Sequence, residues 1–311
     1  MKSSDTNHQI PPQKIGLIGL GIMGGAMAAH LLKSGFEVYG FDIEPTARKR
    51  LKGLGGKPQT GVKDVLQHSD IVITSLPSGQ ALKIVTEEIA LELISSKGLQ
   101  KILIETSTLP LQDKEACAKQ LKSVGIATLD CPIIGTVSHL KERSWTIYAS
   151  GPKKTYQHVL PLLREFTDDT PYLGAYGSGT KMKLAANHLV AIYNVAYAES
   201  VTLARKMGLD PRDVLEHFGN SPILGTGVMR SRMAMMVKRH YSPPTMKIEI
   251  WQKDMGIIGD LAKTLNCPTP LFTASADIYT AAMAQNLALE DTAATAEVLA
   301  SMAGIKPQRN H

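Results

Sequence analysis

The sequence predicts a doubly wound α/β domain followed by an all-helical one, and three observations carry that expectation. Short β-branched runs alternate with amphipathic stretches over the first half of the 311 residues. A glycine-rich turn, Gly19-Leu20-Gly21-Ile22-Met23-Gly24, stands between the first such run and the first helical stretch. Past Gly177-Ser178-Gly179 the strand pattern stops, and the rest of the chain reads as helix. Strands alternating with helices at this spacing form βαβ crossovers, and so a parallel sheet.

Residues 14–19, 37–41, 71–75 and 101–105 read as strands, with amphipathic helices over 23–33 and 111–123 among the connections. Short strands are expected at 127–130 and 145–149, then a helix over 153–166 and a last strand near 172–173. From Thr180 to Met207 the chain is rich in Ala, Leu and Val, and no proline follows until Pro211. A run that long and that apolar predicts a helix buried on several sides. Helical patterning continues to about residue 303, interrupted at 219–227 and at Ser242-Pro243-Pro244. The expected organisation is a polar tail over 1–13, an α/β domain over 14–177 and a helical domain over 178–305, joined by the long helix itself.

Composition narrows the function classes. The 34 basic and 28 acidic residues leave a net charge of +6, but without a run of five like charges. The excess is therefore expected on a solvated surface, with a cationic pocket adding a little, and neither nucleic acid nor membrane is expected as a partner. Cys117, Cys131 and Cys267 are odd in number, far apart and without metal-ligand spacing, which favours a reducing, cytoplasmic setting and no metal. The polar first 13 residues do not read as a signal peptide. No apolar run approaches the ~20 residues of a membrane helix.

The glycine turn has a chemical reason at each position. The first glycine makes a tight turn, the second lets backbone approach a pyrophosphate, and the third packs helix on strand. The helix that follows offers free N–H groups and a positive dipole to phosphate. Asp42 ends the second strand, 18 residues after Gly24. A carboxylate there accepts both ribose hydroxyls of NAD and repels a 2′-phosphate, while Arg48 lies six residues further on. The expected domain is thus Rossmann-type, with NAD favoured over NADP and Gly19, Gly21, Ile22, Met23, Gly24 and Asp42 as its contacts.

Lys183 and Asn187 stand at i and i+4, so both project from one face of the long helix, whereas Lys181 points away toward solvent. Taken alone, the pair fits a snorkelling lysine beside an incidental asparagine at least as well as a site.

Four motifs, in order and over nearly the whole chain, change that balance. The opening KIGLIGLGIMGGAMAAHLLKSGFEVYGFDIEP resembles that of the β-hydroxyacid dehydrogenase family, which includes 3-hydroxyisobutyrate dehydrogenases and tartronate semialdehyde reductases. Asp130-Cys131-Pro132-Ile133-Ile134-Gly135-Thr136 is similar to the family's substrate-binding Asp-x-Pro-x-Ser-Gly-Gly. The segment from Gly177 to Asn187 is similar to its catalytic GxGxxxKxxxN, and Lys253-Asp254-Met255 to its Lys-Asp-Leu segment near the nicotinamide.

The resemblance implies hydride transfer between a nicotinamide and a small 3-hydroxy acid or the matching semialdehyde. It makes Lys183 the general acid/base, its pKa lowered by burial and by Lys253 nearby, and sets Asn187 on the substrate hydroxyl or carboxylate. Ile134, Gly135 and Thr136 would bind the carboxylate, Leu76, Pro77 and Thr108 would line the dinucleotide site, and Lys253 would reach the nicotinamide end. The helical domain would hold substrate and build a homodimer or homotetramer. An imine reductase-like enzyme or a non-catalytic dinucleotide-binding scaffold would share the fold, but such relatives lack the lysine that stands here as Lys183.

The chain also departs from the family. Ser-Gly-Gly of the substrate turn is Ile134-Gly135-Thr136, the Gly-Thr pair on the next strand is Arg143-Ser144, and a C-terminal GxGxxD-like segment keeps only Asp291. His139 and Arg143 read as surface residues, and the cluster at 233–236 with Trp251 reads as core or inter-subunit packing. These changes point to a more hydroxylated substrate than 3-hydroxyisobutyrate.

Overall fold

The computed structural model describes residues 14–95 and 101–306, so the expected tail over 1–13 lies outside the described residues. The chain divides into two compact units, one ending at Lys183 and one beginning at Leu184.

The first unit is built on a parallel sheet ordered β3-β2-β1-β4-β5-β6. Its strands are β1 (Lys14–Ile18), β2 (Glu37–Phe41), β3 (Lys57–Pro58), β4 (Ile71–Thr74), β5 (Ile102–Glu105) and β6 (Ala127–Asp130). Register is set by facing apolar residues: Ile15 lies opposite Val38 and Ile71, and Ile71 opposite Ile102. Both faces are buried, which explains the near-continuous apolar runs. Leu17, Ile71, Ile73 and Ile104 join one core cluster, while Ile18, Val72 and Leu103 join another. Around the sheet pack α1 (Ile22–Lys33), α2 (Pro45–Gly53), α3 (Val62–His68), α4 (Gly79–Ser95) and α5 (Leu111–Ser123), followed by α6 (Val137–Lys141) and α7 (Lys153–Phe166).

Two expected strands of this unit come out differently. Over 145–149 only β8 (Thr146–Ile147) forms, pairing antiparallel with β7 (Ile133–Ile134) in a separate small sheet. Tyr172 makes just an isolated bridge to Ala149. At the front of 145–149 the fully buried Trp145 donates its indole N–H to Thr136 O at 2.6 Å, and at the back Ala149 N–H turns to Pro171 O.

The long helix α8 (Ser178–Lys206) begins in the first unit and continues into the second. The second unit adds α9 (Pro211–Gly219), α10 (Gly227–Lys238), α11 (Ile248–Thr264), α12 (Pro270–Ala284), a 3₁₀ turn at Thr292–Ala294 and α13 (Thr295–Met302). Its breaks are capped: Asp210 accepts from the Arg212 N–H with Pro211 behind it, and Thr226 accepts from Met229 N–H. Met233, Met236, Trp251, Phe272 and Tyr279 form its core.

The helix α8 is buried on several sides, through residues such as Leu184, Ala191, Val195, Ala198 and Val201. The helix is not buried on all sides: Met182, Ala185, Leu189, Ala196, Glu199 and Leu203 lie exposed along one face. That face mixes the large apolar Met182, Leu189 and Leu203 with alanines and Glu199, and burial follows the face rather than the composition. Among the described residues, no helix is long and apolar enough to cross a membrane.

Candidate active site

In the first unit the carboxyl ends of β1, β2, β4 and β5 gather the residues expected at a dinucleotide. Order 3-2-1-4 puts a topological switch between β1 and β4, where such ligands bind in open α/β sheets. Gly19 follows β1 at φ +91°, and a Cβ there would lie 2.1 Å from Ser75 O. A Cβ at Gly24 would lie 1.9 Å from Gly19 O, so α1 packs on the turn as only glycine allows. Gly21 and Ile22 are exposed at the tip, Met23 is half-buried, and no side chain caps α1. The free helix end and the bare cradle fit a pyrophosphate.

Asp42, just past β2, holds the turn from the other side. Its Oδ2 accepts from Leu20 N–H at 2.7 Å and its Oδ1 from Glu44 N–H at 2.8 Å, which leaves lone pairs for a ribose. Arg48 folds back from α2 to donate to the carbonyls of Asp42 and Ile43. Past β4, Leu76 is half-buried and Pro77 exposed, with Leu76 N–H donating to Ser107 Oγ at 2.7 Å, and Thr108 is half-buried in the loop after β5.

The first turn of α8 rests on a buried polar cluster that the sequence reading did not single out. The fully buried Lys114 on α5 contacts Glu105 Oε2 at 2.5 Å and Asp130 Oδ1 at 2.6 Å. It also donates to Ser107 O at 3.0 Å and Thr180 Oγ1 at 2.9 Å. Burial opposes its charge, but the two carboxylates outweigh that and hold its pKa above the ordinary lysine value. A signal existed: Lys114, Cys117 and Leu121 share the buried stripe of α5, and a lysine on such a stripe needs a counter-charge. Lys183 follows Thr180 by three residues and is half-buried, while Lys181 is exposed.

In the second unit Asn187 is buried, and its Nδ2 donates to Asp254 Oδ2 at 3.0 Å. Lys253 Nζ lies 3.3 Å from Asp254 Oδ1. Asp254 thus fixes which way the Asn187 amide faces, a role the sequence reading missed.

The residues expected at the carboxylate lie in the first unit, after β7. Gly135 turns at φ +128°, with Trp145 where a Cβ would be. Thr136 caps α6, and both its N–H and its hydroxyl meet His139 Nδ1, at 3.1 and 2.9 Å. His139 is therefore part of the turn rather than a plain surface residue. Arg143 is exposed and caps the end of α7, donating to Arg164 O at 2.8 Å and Glu165 O at 2.7 Å.

Comparison with known proteins decides the family. Residues 14–174 match the NAD binding domain of 6-phosphogluconate dehydrogenase, and residues 177–299 match the NAD-binding domain of NADP-dependent 3-hydroxyisobutyrate dehydrogenase. The chain belongs to the β-hydroxyacid dehydrogenase family. It is a nicotinamide-dependent dehydrogenase/reductase acting on a CH–OH group. An L-threonate dehydrogenase of Cupriavidus necator is 28% identical over 92% of this chain and 96% of its own. The 3-sulfolactaldehyde reductase of Escherichia coli is 28% identical over 94% and 97%. The solved 3-hydroxyisobutyrate dehydrogenase of Mycobacterium tuberculosis with L-serine shares the fold at TM-score 0.82, with 24% identity over 93% of this chain and 99% of that one.

Proposed function

We propose that this dehydrogenase interconverts a small polyhydroxylated acid, of glycerate or sugar-acid type, and its carbonyl form, with NAD as the preferred dinucleotide and Lys183 carrying the proton. The observation that carries the reading is the pair on α8: Lys183 and Asn187 stand one turn apart, with the Asn187 amide oriented by Asp254. In oxidation the Lys183 amine takes the hydroxyl proton, and in reduction its ammonium returns that proton and stabilises the developing alkoxide. The nicotinamide supplies the hydride acceptor or donor. Asn187, donating through Nδ2 to Asp254, keeps its carbonyl oxygen as an acceptor for a second, non-reacting hydroxyl of the substrate. The N–H groups of Gly135 and Thr136 hold the carboxylate, which displaces His139 Nδ1 from the Thr136 N–H because a charge-assisted bond is the stronger one.

NAD preference rests on the Asp42 carboxylate, with Arg48 committed to backbone carbonyls beside it. The hydroxylated substrate rests on Ile134 and Thr136, which remove one side-chain hydroxyl and add another, and on the L-threonate dehydrogenases among the relatives. Free Cys117, Cys131 and Cys267 support a reducing cytoplasmic setting, and the exposed apolar residues of α8 support a homodimer or homotetramer. The test is NADH formation by the purified protein with L-threonate, glycerate, 3-hydroxypropionate and 3-hydroxyisobutyrate, each with NAD and with NADP. The hydroxylated acids should give the higher kcat/KM. If 3-hydroxyisobutyrate is the best substrate, the argument from Ile134 and Thr136 is wrong.

A further inference from the structure

We propose that the buried cluster of Lys114, Asp130 and Thr180 sets where Lys183 stands, which makes these three positioning residues for the proton transfer. The inference rests on the reading of Lys183 as proton carrier. It starts from the way α8 begins. The first N–H groups of a helix have no partner within it. Here Gly179 N–H donates to Ser150 Oγ at 3.0 Å and Thr180 N–H to Asp130 Oδ2 at 2.8 Å. The Thr180 hydroxyl donates to Asp130 Oδ1 at 2.7 Å and accepts from Lys114 at 2.9 Å. A Cβ at Gly179 would lie 2.3 Å from Tyr148 O, so this turn is pressed on the chain before it. Thr180 is thereby fixed at backbone and side chain, and Lys183 is its i+3 neighbour on the helix.

The same ammonium also reaches the dinucleotide side. Lys114 donates to Ser107 O, Ser107 N–H donates to Glu105 Oε1 at 2.8 Å, and Ser107 Oγ accepts from Leu76 N–H. One buried cation thus ties the loops after β4 and β5 to the helix that carries Lys183. Buried ion clusters rarely add net stability over apolar packing, so geometry is the better reason for one here. The surplus negative charge of two carboxylates against one ammonium lies at the positive end of α8, which favours it.

The experiment compares Thr180→Val, Thr180→Ser and Lys183→Ala in the full chain. Valine keeps the shape of threonine and removes both hydroxyl bonds, whereas serine keeps them. Thr180→Val should lower kcat about ten- to a hundredfold, the scale of a proton donor displaced by about an ångström. Its affinity for NADH, read by fluorescence, should stay within about twofold. Amide hydrogen exchange at 179–183 should quicken at least tenfold, and Thr180→Ser should restore both readouts. Wild-type kcat in Thr180→Val beside an inactive Lys183→Ala overturns the positioning role. Unchanged exchange at 179–183 overturns the clamp. A fully active Lys183→Ala refutes the proton-carrier reading, and this inference with it.

Discussion

Replacing Lys114 with methionine tests the energetics of the cluster. The side chain is 0% exposed, Glu105 and Asp130 are 1% and 0% exposed, and its ammonium lies 2.5 and 2.6 Å from their oxygens. Methionine fills most of the volume but leaves two buried carboxylates without a counter-charge. Removing one partner of a buried ion pair costs about 3–5 kcal/mol. For a domain of 150–250 residues each kcal/mol lowers Tm by about 2–4 °C, so a fall of about 6–20 °C is expected. The two tryptophans fall one in each unit, Trp145 and Trp251, so in a Trp251→Phe background the fluorescence of Trp145 follows the first unit alone. Adding Glu105→Gln should recover part of the loss, because one of the two orphaned charges is then gone. A loss below about 1 kcal/mol would refute the reasoning, since it is the cost of an exposed pair and not of a buried one.

Other outcomes are equally specific. Lys183→Ala should keep NADH binding and lose at least ~10²-fold in kcat; near-normal turnover would show that another group moves the proton. Asp42→Ser should narrow the ratio of kcat/KM between NAD and NADP, and a wild type that uses both equally would remove the role of the carboxylate. Acid should weaken the second unit through Asp291 and Glu297. Burial opposes both charges, but Arg232 with backbone N–H groups, and Arg239 with Tyr241, outweigh it and hold both pKa values below the ordinary carboxylate range. A lowered folded pKa gives stability that is present above the unfolded value and lost as pH falls through the folded one, so the loss should run from about pH 5 downward. Urea titrations over that range should show a flatter acid dependence for Asp291→Asn, and an unchanged slope would count against the assignment.

The motif positions at the dinucleotide side were legible because they are local. Gly19 to Gly24 and Asp42 sit where strand ends and helix starts demand them, and the buried strands announce themselves as apolar runs. The turn at 134–136, expected to meet the substrate carboxylate, was only partly legible. That Thr136 and His139 share hydrogen bonds depends on a cap only three residues long, yet the burial of Trp145 beneath Gly135 depends on a side chain ten residues away.

By itself the sequence determined the order of elements, the glycine cradle, the one-turn spacing of Lys183 and Asn187, and the family. Each follows from period, from turn chemistry or from motifs read along the chain. Tertiary structure alone decided that Glu105, Lys114, Asp130 and Thr180, on three elements and the start of α8, meet in one dry cluster, and that Asp254 orients Asn187 from 67 residues away. It also decided which face of α8 stays exposed. Those outcomes come from side chains converging across the fold, where the cost of burying an unpaired charge selects the partner, and no spacing along the chain records that cost.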